Sequence, residues 1–224
     1  MMHLNEVRIS TGRATLDGNL TIVDEATGFV LFAHGSGSSR HSPRNQFVAR
    51  VLNNSGLATL LFDLLTPEEE AIDARTAELR FDIKLLAERL VHATNWAKRQ
   101  QQTRNLRIGY FGSSTGGAAA LVAAAESTQE VGAVVSRGGR PDLAGAALPK
   151  VQAPTLLIVG GEDDIVIELN EQARDQMRCK VKLEIIPGAT HLFEEPGALE
   201  QVAKLASSWL VDHLGEKQTL GRND

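Results

Sequence analysis

Short apolar runs punctuate the chain at residues 29–33, 57–62, 106–111, 131–135, 155–159 and 181–186, each rich in valine, isoleucine, leucine or phenylalanine. Runs that are apolar at nearly every position suit strands covered on both faces, as in a largely parallel sheet with helices above and below. Ahead of them NEVRISTGRATLDGNLTIV alternates instead, with Gly12 and the Asp17-Gly18 pair as turn positions, which predicts an antiparallel lead-in. Between the runs the period becomes helical. It is clearest over residues 77–100, where Leu79, Ile83, Leu86, Leu90 and Ala97 share one stripe and most charged residues lie elsewhere. Further helices are expected over 43–54, 115–126, 142–148, 167–177 and 197–213. Such alternation, with right-handed crossovers, predicts an α/β fold: a three-layer, doubly wound single domain over residues 1–224. Two stretches stand apart. DLLTPEEEAIDART (63–76) is expected to form a rim over a pocket, and the polar tail GEKQTLGRND (215–224) to fray.

Composition narrows the partners. With 42% hydrophobic and 23% charged residues, the chain is globular rather than disordered. The net charge is −5 and the 23 basic residues are scattered, so nucleic acid is not an expected partner. The apolar runs VGAVVS and PTLLIVGG are far shorter than the roughly 20 residues that span a bilayer, and MMHLNEVRIS lacks a signal-like apolar core. A cytoplasmic protein without membrane association is expected. The lone Cys179 excludes an intrachain disulfide and a cysteine-built metal site, and neither a metal nor a cofactor is expected.

The chemistry concentrates in a few loops. In GYFGSSTGG (109–117), residues Gly112 to Gly116 read G-x-S-x-G between a predicted strand and a predicted helix. That pattern holds a serine on a sharp turn, with small neighbours where strand and helix backbones approach. Ser114 is therefore the candidate nucleophile; Ser113 loses the glycine spacing. A serine hydroxyl needs a base, and the base needs an orienting group. His191, in IIPGATHLFEEPG, follows the last predicted strand, whereas His92 and His213 fall in helices and His3 in the lead-in. For the carboxylate, Asp163 and Asp164 both lie where PTLLIVG runs into GEDDIV, and either could instead cap the next helix. Developing negative charge calls for preset donors. The Thr115 backbone N–H is one, and the Ser36 N–H in FAHGSGSSRHSPRN is the favoured second, with Gly35 or Gly37 as register alternatives and His34 as a brace. That loop is neither a Walker A loop nor a dinucleotide fingerprint, since no Gly-Lys-Ser/Thr follows and the third glycine position is Arg40. Arg137 and Arg140 in SRGGRPDLAG are candidates to hold a substrate's carboxylate or phosphate, the alternative being ion pairs that brace the loop. Arg40, with Arg44 and His41, forms a second candidate polar rim.

Taken together, HGSGSSR, LLFDLL, GYFGSSTGG, SRGGRPDL, GGEDDIV and PGATHLFEEPG resemble the α/β-hydrolases and, more narrowly, dienelactone-hydrolase-related proteins, over residues 4–213. The resemblance implies a mostly parallel sheet of about eight strands with an antiparallel start, serine-acid-histidine chain order, and ester, lactone or related acyl substrates. Its Gly-x-x-Asp-x-x-Val pattern falls on Gly160, Asp163 and Val166 and so selects Asp163; its histidine falls on His191 and its nucleophile on Ser114. Dienelactone hydrolases carry cysteine at the nucleophile position, where this chain has serine. No insertion between residues 136 and 154 is large enough for a helical lid, which favours a small acyl substrate, anionic if the arginines face the pocket. The expected function is a serine hydrolase. The alternatives are an acyltransferase or peptidase-like enzyme with the same triad, and a noncatalytic anionic-ligand-binding protein on the same scaffold.

Overall fold

The structure, a computed structural model, describes residues 1–215, so residues 216–224 of the expected frayed tail lie outside it. The strands are β1 (Met2–Ser10), β2 (Thr15–Val23), β3 (Gly28–Ala33), β4 (Leu57–Phe62), β5 (Ile108–Ser113), β6 (Val131–Arg137), β7 (Thr155–Gly160) and β8 (Val181–Ile186). They form one sheet in the order β1, β2, β4, β3, β5, β6, β7, β8. β1 pairs β2 and β2 pairs β4 antiparallel, and every later pairing is parallel. The doubly wound sheet with an antiparallel start is therefore present as expected.

Strand alternation divides the core in two. Phe29, Leu31, Ala33, Leu60 and Tyr110 face one side, where α3 (Ile83–Ala97), α4 (Thr115–Glu126) and α5 (Asp164–Gln176) pack. Val30, Phe32, Leu61 and Phe111 face the other, against α1 (Pro43–Asn54) and α6 (Ala198–Leu214). Side chains of a strand point alternately to its two faces, so a run that is apolar throughout feeds both layers at once. β3 to β7 are buried end to end, whereas β8 lies at the sheet edge and is half-exposed. Its polar Lys182 and Glu184 match that edge position better than a strand covered on both faces.

Three local expectations change. Asp17-Gly18 is no turn but lies inside β2; the hairpin turns at residues 11–14, where Gly12 has φ +83°. Gly18 is crowded by its neighbours, since a Cβ would sit 3.1 Å from Leu60 and 3.2 Å from Phe62 across the sheet, closer than side chains ordinarily pack. The helical stripe over 77–100 splits into a 3₁₀ turn at Leu79–Phe81 and α3, because the Asp82 side chain accepts from the Leu85 N–H and caps a new start. The expected helix over 142–148 is a 3₁₀ segment, Pro141–Lys150, broken at Gly145. The acidic stretch contains a further helix, α2 (Pro67–Thr76), which opens with a reciprocal Thr66–Glu69 capping box. Polar ties fasten this helix: Glu69 to Arg89 at 2.6 Å, with Arg89 donating also to Thr11, and Asp73 to Arg80 at 2.6 Å. Among the described residues, no helix is long and apolar enough to cross a membrane.

A close approach of backbone to backbone lies where β5 turns into α4. A Cβ on Gly116 would fall inside the carbonyl oxygen of Ala33, and one on Gly112 would lie 2.6 Å from the Gly117 Cα. Both obstacles are backbone and cannot rotate away. Gly116→Ala is therefore expected to lower unfolding free energy by about 2–3 kcal/mol or more, since overpacking displaces backbone rather than a flexible side chain. Urea unfolding checks this; a midpoint equal to that of the native protein would contradict it.

Candidate active site

Ser114 occupies the bend between β5 and α4 with φ 51° and ψ −121°, a region that non-glycine residues rarely adopt and that costs about 1–3 kcal/mol. Surrounding hydrogen bonds hold it there. Its N–H donates to the Arg137 carbonyl at 3.2 Å, and its carbonyl accepts from Gly117 at 3.0 Å and Arg140 at 3.1 Å. Ser113, the alternative nucleophile, ends β5 buried and donates to the Asn45 side chain at 3.2 Å. Its hydroxyl is thus committed to a structural bond.

Two further loops meet this bend because their strands end at the same edge of the sheet. The Glu162 N–H donates to the Ala189 carbonyl at 3.0 Å, tying the loop after β7 to the loop after β8. Across that junction Asp163 Oδ2 accepts from His191 Nδ1 at 2.6 Å. The imidazole is thereby oriented with Nε2 as its remaining nitrogen. Asp164, the alternative acid, begins α5, and its side chain has no bond to the histidine. His191 and Ser114 line one cavity of about 200 Å³, together with Ser36, Arg44, Asn45 and Arg137. Asp163 and His191 are thus bonded to each other, and His191 shares a cavity with Ser114, the three residues coming from three loops.

The loop after β3 completes the site. Gly35 lies so close to the bend that a Cβ on it would be 3.1 Å from the Ser114 Cβ, and Ser36 Oγ is 3.1 Å from Thr115 Oγ1. Ser36 and Thr115 are therefore neighbours beside Ser114. Thr115 is the first residue of α4, so its N–H has no acceptor within the helix. His34 braces the loop from behind: Nδ1 bonds the Gly35 carbonyl at 3.0 Å, and Nε2 accepts from the Leu64 N–H at 3.0 Å. These partners require a neutral ring with the proton on Nδ1. Burial lowers the His34 pKa below its usual value, outweighing the Gly35 carbonyl and the charges of Asp63 and Glu70.

The arginines separate sharply. Arg137 is 7% exposed and lines the cavity, and among the described residues its Nε and Nη1 have no hydrogen-bond partner. Burial, helped by repulsion from Arg44, pulls its pKa down to about 10. Arg140 instead forms a two-pronged pair with Asp142, at 2.8 and 2.7 Å. Arg40 binds Asp63 through its side chain and its backbone N–H. Neither Arg40 nor Arg140 lines the Ser114 cavity; each braces its own loop, and the partner of Arg140 is not the acidic stretch at 68–70. Cys179 is half-buried near Thr155, away from the site.

Asn45 and Gly138 escaped the sequence reading. Asn45 is buried on α1 and holds Ser113; only the Ser42-Pro43 helix start hinted that this segment reaches the sheet edge. Gly138 has φ 51° and lies against His191, where a Cβ would be 3.2 Å from its carbonyl and 3.5 Å from its ring.

The neutral state of His34 gives stability a pH dependence. The unfolded chain takes up a proton on this ring near 6.5, while the folded chain resists until lower pH, so unfolding is linked to proton uptake. Stability is expected to fall as pH drops through 6.5 and to level off only below the folded pKa. His34→Gln should flatten this slope in urea midpoints measured from pH 7.5 to about 5; a slope identical to that of the native protein would contradict the assignment.

Comparison with known proteins agrees with this fold. The dienelactone hydrolase family pattern matches residues 38–212. A solved structure described as a dienelactone hydrolase from Anabaena variabilis is 62% identical, with a TM-score of 0.94 over 95% of this chain and 99% of that one. Est1E from Butyrivibrio proteoclasticus shares the fold at 17% identity, with a TM-score of 0.78 over 94% of this chain and 99% of that one. Mycobacterium tuberculosis proteins of strains CDC 1551 and H37Rv, each named "Putative phosphoribosyl transferase", are 59% identical over 209 residues, 93% of this chain. The chain spans 46% of their length, about half of each. With the family pattern covering most of its length and a near-complete structural match, the chain belongs to the dienelactone hydrolase family.

Proposed function

We infer that the protein is a serine hydrolase acting on a small ester, lactone or related acyl bond. The observation that carries this reading is the Asp163–His191 bond at 2.6 Å beside a serine held at φ 51° in the same cavity. With Nδ1 committed to Asp163, His191 Nε2 is the base that takes the Ser114 proton as the hydroxyl attacks the acyl carbon. Negative charge then develops on the acyl oxygen, where the N–H groups of Ser36 and Thr115 receive it. His191, now protonated, passes its proton to the departing oxygen. In the second half it removes a proton from water, which attacks the acyl-serine ester and releases the acid, returning the proton to Ser114. Asp163 holds the ring in one orientation throughout and balances its transient charge. The cavity is small, which suits short acyl groups.

The transferase name borne by the mycobacterial relatives belongs to chains about twice as long as this one. Transfer to an acceptor other than water would pass through the same acyl-serine, and product analysis with competing alcohols and amines separates the two outcomes.

A fluorophosphonate probe should label the native protein at Ser114 and leave Ser114→Ala unlabelled. Equal labelling of the two would remove Ser114 as the nucleophile and this reading with it. Asp163→Asn is expected to keep the fold and lower kcat on an activated aryl ester by about 10⁴-fold, through loss of the correct histidine tautomer. Retention of most of the native kcat would show that Asp163 does not serve His191.

A further inference from the structure

The cavity beside Ser114 is lined by positive and neutral donors. Arg137 enters from the end of β6, is 7% exposed, and leaves Nε and Nη1 without a partner among the described residues. The Phe193 ring, 5.7 Å from its guanidinium carbon, supplies cation–π attraction but accepts no conventional hydrogen bond. A buried cation without a counter-ion is costly, and this one also faces repulsion from Arg44. Arg44 itself has a buried Nε without a partner among the described residues, while its Nη1 reaches outward to Glu194, which is mostly exposed. The same wall contains the N-terminus of α1, capped by Ser42 and with no acidic residue in its first turn, so the positive end of the helix dipole is uncompensated. Among the described residues, no aspartate or glutamate lines the cavity.

We propose that Arg137, Arg44 and the N-terminus of α1 form a subsite for a phosphoryl group carried by the substrate that Ser114 attacks. This rests on the serine-hydrolase reading. A carboxylate is planar and is satisfied by one guanidinium fork. Here a guanidinium from the end of β6 meets the start of α1 and the guanidinium that α1 itself carries at Arg44, an arrangement that matches a tetrahedral dianion with three acceptor oxygens. The bound phosphoryl group supplies the counter-charge that Arg137 lacks and relieves its repulsion from Arg44. In about 200 Å³ it leaves space for only a short acyl ester beside it. The substrate class is thus a small phosphorylated ester or lactone.

Calorimetric titration of the native protein with inorganic phosphate, and separately with acetate, tests the subsite without relying on turnover. Saturable phosphate binding at one site is expected, at least tenfold tighter than acetate and weakened at least tenfold in both Arg137→Met and Arg44→Met. Circular dichroism melts establish that each variant is folded. Should either variant misfold, the native protein still decides the matter: saturating phosphate must slow fluorophosphonate labelling of Ser114 at least fivefold, and saturating chloride must not. Absence of saturable phosphate binding, acetate binding as tight as phosphate, binding retained in folded variants, or labelling at an unchanged rate each overturns the proposal. Absence of labelling in phosphate-free buffer strikes instead at the hydrolase reading, and phosphate titration then still reports on the anion subsite alone.

Discussion

β5 turns so tightly into α4, and α4 starts so close to the end of β3, that positions 112 and 116 have no space for a Cβ. This crowding is what the site is built on. It permits Ser114 to be held in a strained conformation because the Ser113 strand ladder, the Arg137 carbonyl and the first turn of α4 all fix its neighbours. A flexible glycine-serine loop would spend most of its time in cheaper conformations, with the hydroxyl pointing elsewhere. Here the strained residue is held by a buried sheet whose central strands feed hydrophobic layers on both faces.

Three loops converge on that bend because parallel strands all end at the same edge. Parallel pairing of β3, β5, β6, β7 and β8 brings His34, Ser114, Arg137, Asp163 and His191 to one side of the molecule, although 157 positions separate the first from the last. Each loop is then pinned by local hydrogen bonds: His34 between Gly35 and Leu64, Glu162 on Ala189, and Thr190 on Glu195 at 2.6 Å. Such short ties limit the entropy that a reaction would otherwise have to overcome in gathering its groups.

The electrostatics of the site divide along the same lines. Arginines that brace loops have found carboxylates, as with Arg40 and Asp63, Arg140 and Asp142, Arg80 and Asp73, and Arg89 and Glu69. Among the described residues Arg137 has not, although it is one of the more deeply buried of them. In a chain of net charge −5, with 28 acidic residues, a buried arginine left without one beside Ser114 departs from the pairing of those four.

The order of strands and helices was legible because hydrophobic period is a local property, and the serine turn because its glycines follow from a local steric demand. Asp163 and His191 were identifiable as candidates from their places after strands, and a family spacing chose between adjacent aspartates. Elsewhere local signals misled: Asp17-Gly18 has turn chemistry, yet Gly18 serves a crowded strand pair, and the stripe over 77–100 continues through a point where Asp82 restarts the helix. The sequence by itself determined the alternation of elements, the strained serine and the residue types available for its chemistry. Only the tertiary structure decided which histidine meets which carboxylate, which arginines are neutralised and which one faces the cavity, because charge pairing and burial depend on distances between segments that the order of residues along the chain does not specify.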